Sequence, residues 1–265
     1  RLCFMNDVKK PVFENVQQHR QACREGRYSG PTGGLIPDNV LCNLVVLPMS
    51  EAYDFLVYCM RNPKPCPVIE VFDAGDPISR LAAPGADMRT DLSRYAVSRY
   101  GQDQGTVTDI SDLWSDESVA LLMGSSLTFD HAIARAGVKP SPEVWVLNTA
   151  IPTAKSGKFE GPLIVTMRWM KAAEAIIATQ LTARFAWNHG APVHIGDPAE
   201  IGADLANPIW GKPVDAIPRD VVPVFWACGV TPQFTAKAAK PSLMITHAPA
   251  HGFVTDLKAD QYCLP

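Results

Sequence analysis

Prolines frame the apolar runs of this chain, and that constrains its fold more than any other feature. Pro48, Pro67, Pro162, Pro192, Pro223 and Pro241 each stand at the edge of such a run. Proline can begin a strand without removing a ladder hydrogen bond from its middle. The 23 prolines are about twice the usual ~5% share and do not cluster as in a linker. A compact protein with many short, shaped loops is expected, in which continuous apolar runs such as VVPVFWA are strands buried on both faces.

Periodicity and turn signals predict helices over 12–25, 49–61, 129–136, 169–184 and 233–240. In the second, Ser50 is the expected cap, and Ala52, Phe55, Leu56 and Cys59 recur at helical spacing. Strands are expected over 44–47, 68–72, 95–100, 144–147, 163–168, 193–196, 221–227 and 242–247. The alternation indicates an α/β chain with a mixed sheet and flanking helices. The 265 residues form a single unit, with a weak lobe boundary near 82–85 and a smaller lobe inserted within about 85–160.

Charge and cysteine usage exclude several functions. The formal net charge of −3 lacks the basic excess of a nucleic-acid binder. No apolar run approaches the ~20 residues that span a bilayer. The seven cysteines are odd in number, irregularly spaced and free of any C-x-x-C pair, as expected of reduced thiols in an intracellular protein. The expected location is cytoplasmic, or the mitochondrial matrix for a eukaryotic source, with homo-oligomer formation left open. Walker, Rossmann, G-x-S-x-G and EF-hand motifs are absent.

Titratable side chains gather in the final third. HGAPVHIGDP carries His189, His194 and Asp197; FWACGVTPQ carries Cys228; THAPAHGFVTD carries His247, His251 and Asp256. Each segment reads as a strand end, where α/β sheets collect functional groups. Pro249 denies a continuous helix through His247, so the H-x-x-x-H spacing is not that of a helical zinc pair. A zinc ion on His194, Asp197, Cys228, His247 and His251 is a minor alternative, and no cofactor is expected. Cys228 is either a nucleophile or an inert buried thiol. For an anionic substrate, Arg168 and Arg89 can grip a carboxylate. Thr32, Gly33 and Gly34, or Gly124, Ser125 and Ser126, can present backbone N–H groups. The plain alternatives are a salt bridge for each arginine and helix capping for the serines.

NLVVLP, RNPKPCP, DMRTDLSRY, TDISDLW, MGSSLTFDHAI, GKFEGPLIVTMR, HGAPVHIGDP, VPVFWACGVTPQ and THAPAHGFVTD occur in order between Asn43 and Asp256. In these motifs the chain resembles the bacterial hydro-lyase family related to the D-glutamate cyclase of mitochondria. It departs from that pattern at Ser125, where many relatives have cysteine, at Ala250-His251-Gly252 and at Pro37-Asp38-Asn39. The resemblance implies two intertwined α/β lobes and cyclisation of a small amino acid, D-glutamate, to 5-oxo-D-proline with loss of water. Under that reading His194 shares acid and base work with His247 or His251, Asp197 or Asp256 orients an imidazole, and Arg168 holds the α-carboxylate. A thioester on Cys228 is the covalent variant. Another hydro-lyase or lactam-processing reaction, or non-enzymatic binding of a small acid, are the rivals.

Overall fold

The computed structural model describes residues 11–264; Cys3 lies outside them. Among the described residues there are five α-helices and eleven strands, interspersed along the chain. The strands form two sheets, and every strand pairing within them is antiparallel.

The larger sheet contains β1 (Asn39–Pro48), β2 (Val68–Val71), β3 (Tyr95–Arg99), β4 (Gln102–Val107), β5 (Ser118–Gly124), β10 (Met244–His247) and β11 (Phe253–Lys258). The smaller holds β6 (Trp145–Pro152), β7 (Pro162–Met170), β8 (His194–Ile195) and β9 (Val222–Ala227). The chain therefore leaves the larger sheet after β5, builds the smaller one, and returns. The smaller sheet comes from 145–227 rather than 85–160. Ala82 and Ala83, at the expected lobe boundary, are fully buried in the core of the larger sheet.

Alternation along β1 divides two cores. Val40, Cys42, Leu44 and Val46 face one, closed by loops that carry Phe72, Met88 and Ile110. Val45 and Leu47 face the other, covered by α2 (Met49–Arg61) and α5 (Val230–Ala238). Helix α2 has the boundaries expected from its periodicity, but its N-cap is Pro48 and Ser50 lies inside it. One face of the smaller sheet, with Met170, Val224 and Trp226, packs against α3 (Asp130–Arg135) and α4 (Ala172–Ala183). Its other face, with Val165, Met167 and Phe225, is covered by the segment that holds Ile201, Ala203 and Val214. Helix α5 links the sheets: it follows β9 of the smaller and packs on the larger. Among the described residues no helix is long and apolar enough to cross a membrane.

One buried carboxylate organises the loop after β2. Glu70 accepts from the backbone N–H groups of Arg80, Leu81 and Ala82 and from the Ser79 hydroxyl, at 2.7–3.0 Å. Removing the acceptor strands four donors, of which the Ala82 N–H and the Ser79 hydroxyl are buried and the other two partly so. Glu70→Ala is expected to lower unfolding free energy by about 3 kcal/mol. Urea denaturation checks this; a loss under ~1 kcal/mol would mean that water replaces the carboxylate.

Candidate active site at the seam between the sheets

The histidine-bearing excursion THAPAH interrupts what would be one long strand. Strand β1 pairs along the same edge with β10 at Val45 and Val46 and with β11 at Cys42, Leu41 and Asn39. Residues 248–252 leave the ladder between them. The backbone N–H of Leu44, opposite the excursion, donates to His247 Nδ1 at 3.2 Å. Accepting there fixes the neutral tautomer of His247, with its proton on Nε2. Burial lowers its pKa to about 4, so it is uncharged at neutral pH. The Gln233 amide of α5 lies 3.0 Å from the same Nδ1.

Asn43, the neighbour of Leu44, ties this point to the smaller sheet. Its side chain donates to the Gly124 carbonyl at 3.1 Å. It also packs so closely on Gly229 that a Cβ there would fall 2.1 Å from Asn43 Nδ2. Gly229 opens α5, and Cys228 precedes it. Burial raises the Cys228 thiol above its usual pKa, while the Thr166 hydroxyl, the Val230 N–H and the charge of Arg168 pull the other way. The thiol therefore stays protonated at neutral pH, which disfavours the thioester route.

Arg168 sits beside Cys228 on the same face of the smaller sheet, buried and paired with Asp130 of α3 at 2.8 Å. Both terminal nitrogens engage that carboxylate, and the buried Nε has no acceptor among the described residues. Gly124 is equally close-packed. The Trp187 carbonyl and Asn188 side chain occupy the space a side chain would need, and Asn188 donates to Ser125 O and Thr128 Oγ1. Seven segments thus meet at the seam: the middle of β1, the end of β5, Arg168 of β7, the turn at 186–190, the β9–α5 junction, Gln233 and His247.

Other expected site residues lie elsewhere. His194 pairs with Phe225, which faces the opposite side of the smaller sheet from Thr166 and Arg168, and its Nε2 donates to Asp197 O at 2.8 Å. His194 thus stands on the other face of the smaller sheet from Arg168 and Cys228, rather than beside His247 as shared acid and base work would require. The Asp197 carboxylate caps a short 3-10 turn by accepting from Ala199 N. Asp256 orients no imidazole; it is held by Arg20 and Gln17 of α1 (Val16–Arg24). Arg89 is engaged by Asp87, and Asp91 by Arg24. His251 donates from Nδ1 to Pro249 O and stiffens the excursion, while burial and nearby Arg94 lower its pKa.

The glycine turn is likewise committed. Thr32 donates its N–H to Ala250 O and its hydroxyl to Gly252 O, so neither is left for an anion; Gly33 is half-buried and Gly34 exposed. The N–H groups of Gly124 and Ser125 donate to Pro67 O and Leu41 O, which leaves Ser126 as that loop's candidate donor. Among the described residues no three His, Cys, Asp or Glu side chains are grouped as metal ligands, and the five proposed for zinc are scattered. A cavity of about 640 Å³ opens elsewhere, between α3, the end of α4 and residues 258–263, and shares only Thr128 with the seam. Its cations are already engaged: Arg135 by Asp38, Lys258 by Asn39 and Arg184 by the Leu264 carbonyl. The seam therefore has the stronger claim. Asn43, Asp130, Thr166 and Gln233 lie inside the motifs above and Asn188 immediately before one, but only the sheet pairings reveal that they meet.

An α/β scaffold with a seam of buried polar side chains between two antiparallel sheets is the class these features define. The D-glutamate cyclase family model matches residues 119–256. A protein named "Putative hydro-lyase" from Bordetella petrii is 48% identical over 253 residues, covering 93% of this chain and 96% of its own. One of the same name from Geobacillus kaustophilus is 45% identical, covering 92% and 95%. The chain belongs to the D-glutamate cyclase family, whose bacterial relatives carry the hydro-lyase name. A solved nitrogen repressor-like protein from Methanococcus jannaschii aligns over 88% of this chain and 92% of its own at 10% identity, with a TM-score of 0.39, too distant to bear on function.

Proposed function

We propose that this protein is a lyase acting on a small amino acid, and that its reaction is cyclisation of D-glutamate to 5-oxo-D-proline and water. The observation that carries the reading is the meeting of a neutral imidazole, a buried arginine and a helix start at one seam, within the region that matches the family. Cyclisation forms a C–N bond at the γ-carboxyl carbon and breaks one C–O bond. The two protons that the ammonium loses are the two that the departing oxygen gains. A site for it must therefore bind carboxylate, relay protons and hold a developing oxyanion.

Each requirement has a candidate here. Arg168 supplies positive charge and an uncommitted Nε–H beside Cys228. His247, with its proton on Nε2, acts as the donor to the departing oxygen. Ser126 N–H is the oxyanion donor, and Cys228 remains a thiol that packs under the substrate. Purified protein incubated with D-glutamate is expected to release 5-oxoproline at a rate unchanged by a chelator. No product from D-glutamate, with turnover of another amino or hydroxy acid, would move the reading to a different hydro-lyase. No turnover of any acid would end it.

A further inference from the structure

His189 shares a segment with His194 and has the more suggestive surroundings. Its ring is 1% exposed, and Nδ1 lies 3.0 Å from the Lys64 carbonyl. A carbonyl only accepts, so Nδ1 carries the proton and Nε2 carries a lone pair. That lone pair is buried and has no partner among the described residues. Native proteins seldom leave such an atom unmatched unless a ligand or reaction uses it. His189 also holds a left-handed backbone, φ 75°, which costs a residue with a side chain about 1 kcal/mol.

Lys64 stands beside it. This lysine is half-buried, forms no ion pair among the described residues, and its ammonium lies 3.8 Å from where a side chain on Gly190 would begin. Burial with no counter-charge lowers its pKa. Both groups are fastened to the seam. Gly124 donates its N–H to Pro67 O, in the same turn as Lys64, and packs against the Trp187 carbonyl, in the same turn as His189. The Gly124 carbonyl is the one that Asn43 holds.

We propose that Lys64 and His189 form a second corner of the site, where the Lys64 ammonium binds a substrate carboxylate and His189 Nε2 accepts a proton from the substrate ammonium. This rests on the cyclase reading and deepens it by assigning the base. The N–H bond breaks, its proton goes to Nε2, and its electron pair stays on nitrogen as the lone pair that attacks the γ-carboxyl carbon. His189 delivers that proton to the departing oxygen, the nitrogen now bonded to carbon releases its second proton by way of His247, which passes a proton to the same oxygen, and water leaves as the C–O bond breaks. The pairing also makes the base substrate-dependent. In the free protein Lys64 opposes a second positive charge on His189, and a bound carboxylate cancels that opposition.

Two variants and one spectroscopic probe test this. With D-glutamate as substrate, Lys64→Met is expected to raise KM at least about tenfold, and His189→Gln to lower kcat at least about 100-fold with KM within about threefold. Both are to be verified as folded by circular dichroism. Folded variants that keep kcat and KM within about threefold of wild type would overturn the proposal while leaving the cyclase reading intact. If wild type forms no 5-oxoproline, the cyclase reading fails and imidazole nitrogen resonances decide the rest. Glutarate should shift the His189 Nε2 signal in wild type and not in Lys64→Met. An unmoved signal in wild type with both glutarate and D-glutamate would overturn the proposal on its own.

Discussion

Lowering the pH from 7 to 4 is expected to unfold this protein through its histidines before most carboxylates are protonated. His19, His189 and His247 are held neutral by burial, each with its pKa lowered from 6.5 to about 4. The unfolded chain takes up those protons near pH 6.5, whereas the folded one resists until about pH 4. Between these values the unfolded state binds more protons, so stability falls as pH falls. Three such groups give a slope of up to about 4 kcal/mol per pH unit in mid-window, with each group contributing about 3 kcal/mol in full. His247 is half-buried and contributes the smallest share. Even half of that total is comparable to the ~5–15 kcal/mol that holds a domain together. Urea denaturation at pH 7, 6 and 5 measures the slope; a stability unchanged from pH 7 to 5 would show that these rings are solvated.

Gly124→Ala should have the largest effect of any single methyl group. The added Cβ would fall 1.7 Å from the Trp187 carbonyl oxygen and 2.7 Å from Asn188 Nδ2. The first of these is backbone, so one of the two segments must withdraw, and the seam opens with it. A loss of more than about 3 kcal/mol is expected, together with loss of turnover. Gly33→Ala is the control: its Cβ would meet nothing nearer than 3.8 Å, and a change within about 0.5 kcal/mol is expected. Equal stability of the two variants would show that the 186–190 turn is not packed on β5 as described.

The chain's helices and most strands were legible because their periodicity is local. Helix α2 carries its apolar stripe and its stopping Pro63 within fifteen residues, and β9 is an uninterrupted apolar run. Strand β11 is hidden because Gly252 and His251 make its start look like a loop, and β5 because its apolar run passes without a break into the serine turn that follows it. The site was legible only as a set of segments. His194 lies in β8 and Cys228 just past the neighbouring β9, yet which face each takes depends on the β8–β9 register, which no short-range pattern encodes. Asp256 looked available as an imidazole partner because Arg20, its actual partner, lies 236 residues away. His189 was passed over because the feature that distinguishes it, one anchored nitrogen and one bare nitrogen, exists only after folding.

The direct measurement is the initial rate of 5-oxoproline formation from D-glutamate by wild type, His247→Gln and His194→Gln side by side. Glutamine at 247 can still accept from Leu44 N–H, so the fold survives while the imidazole is gone. His247→Gln should lose at least about 100-fold in kcat/KM, and His194→Gln should stay within about threefold of wild type. The reverse pattern, with His194 essential and His247 dispensable, would place the chemistry on the far face of the smaller sheet and contradict a catalytic seam.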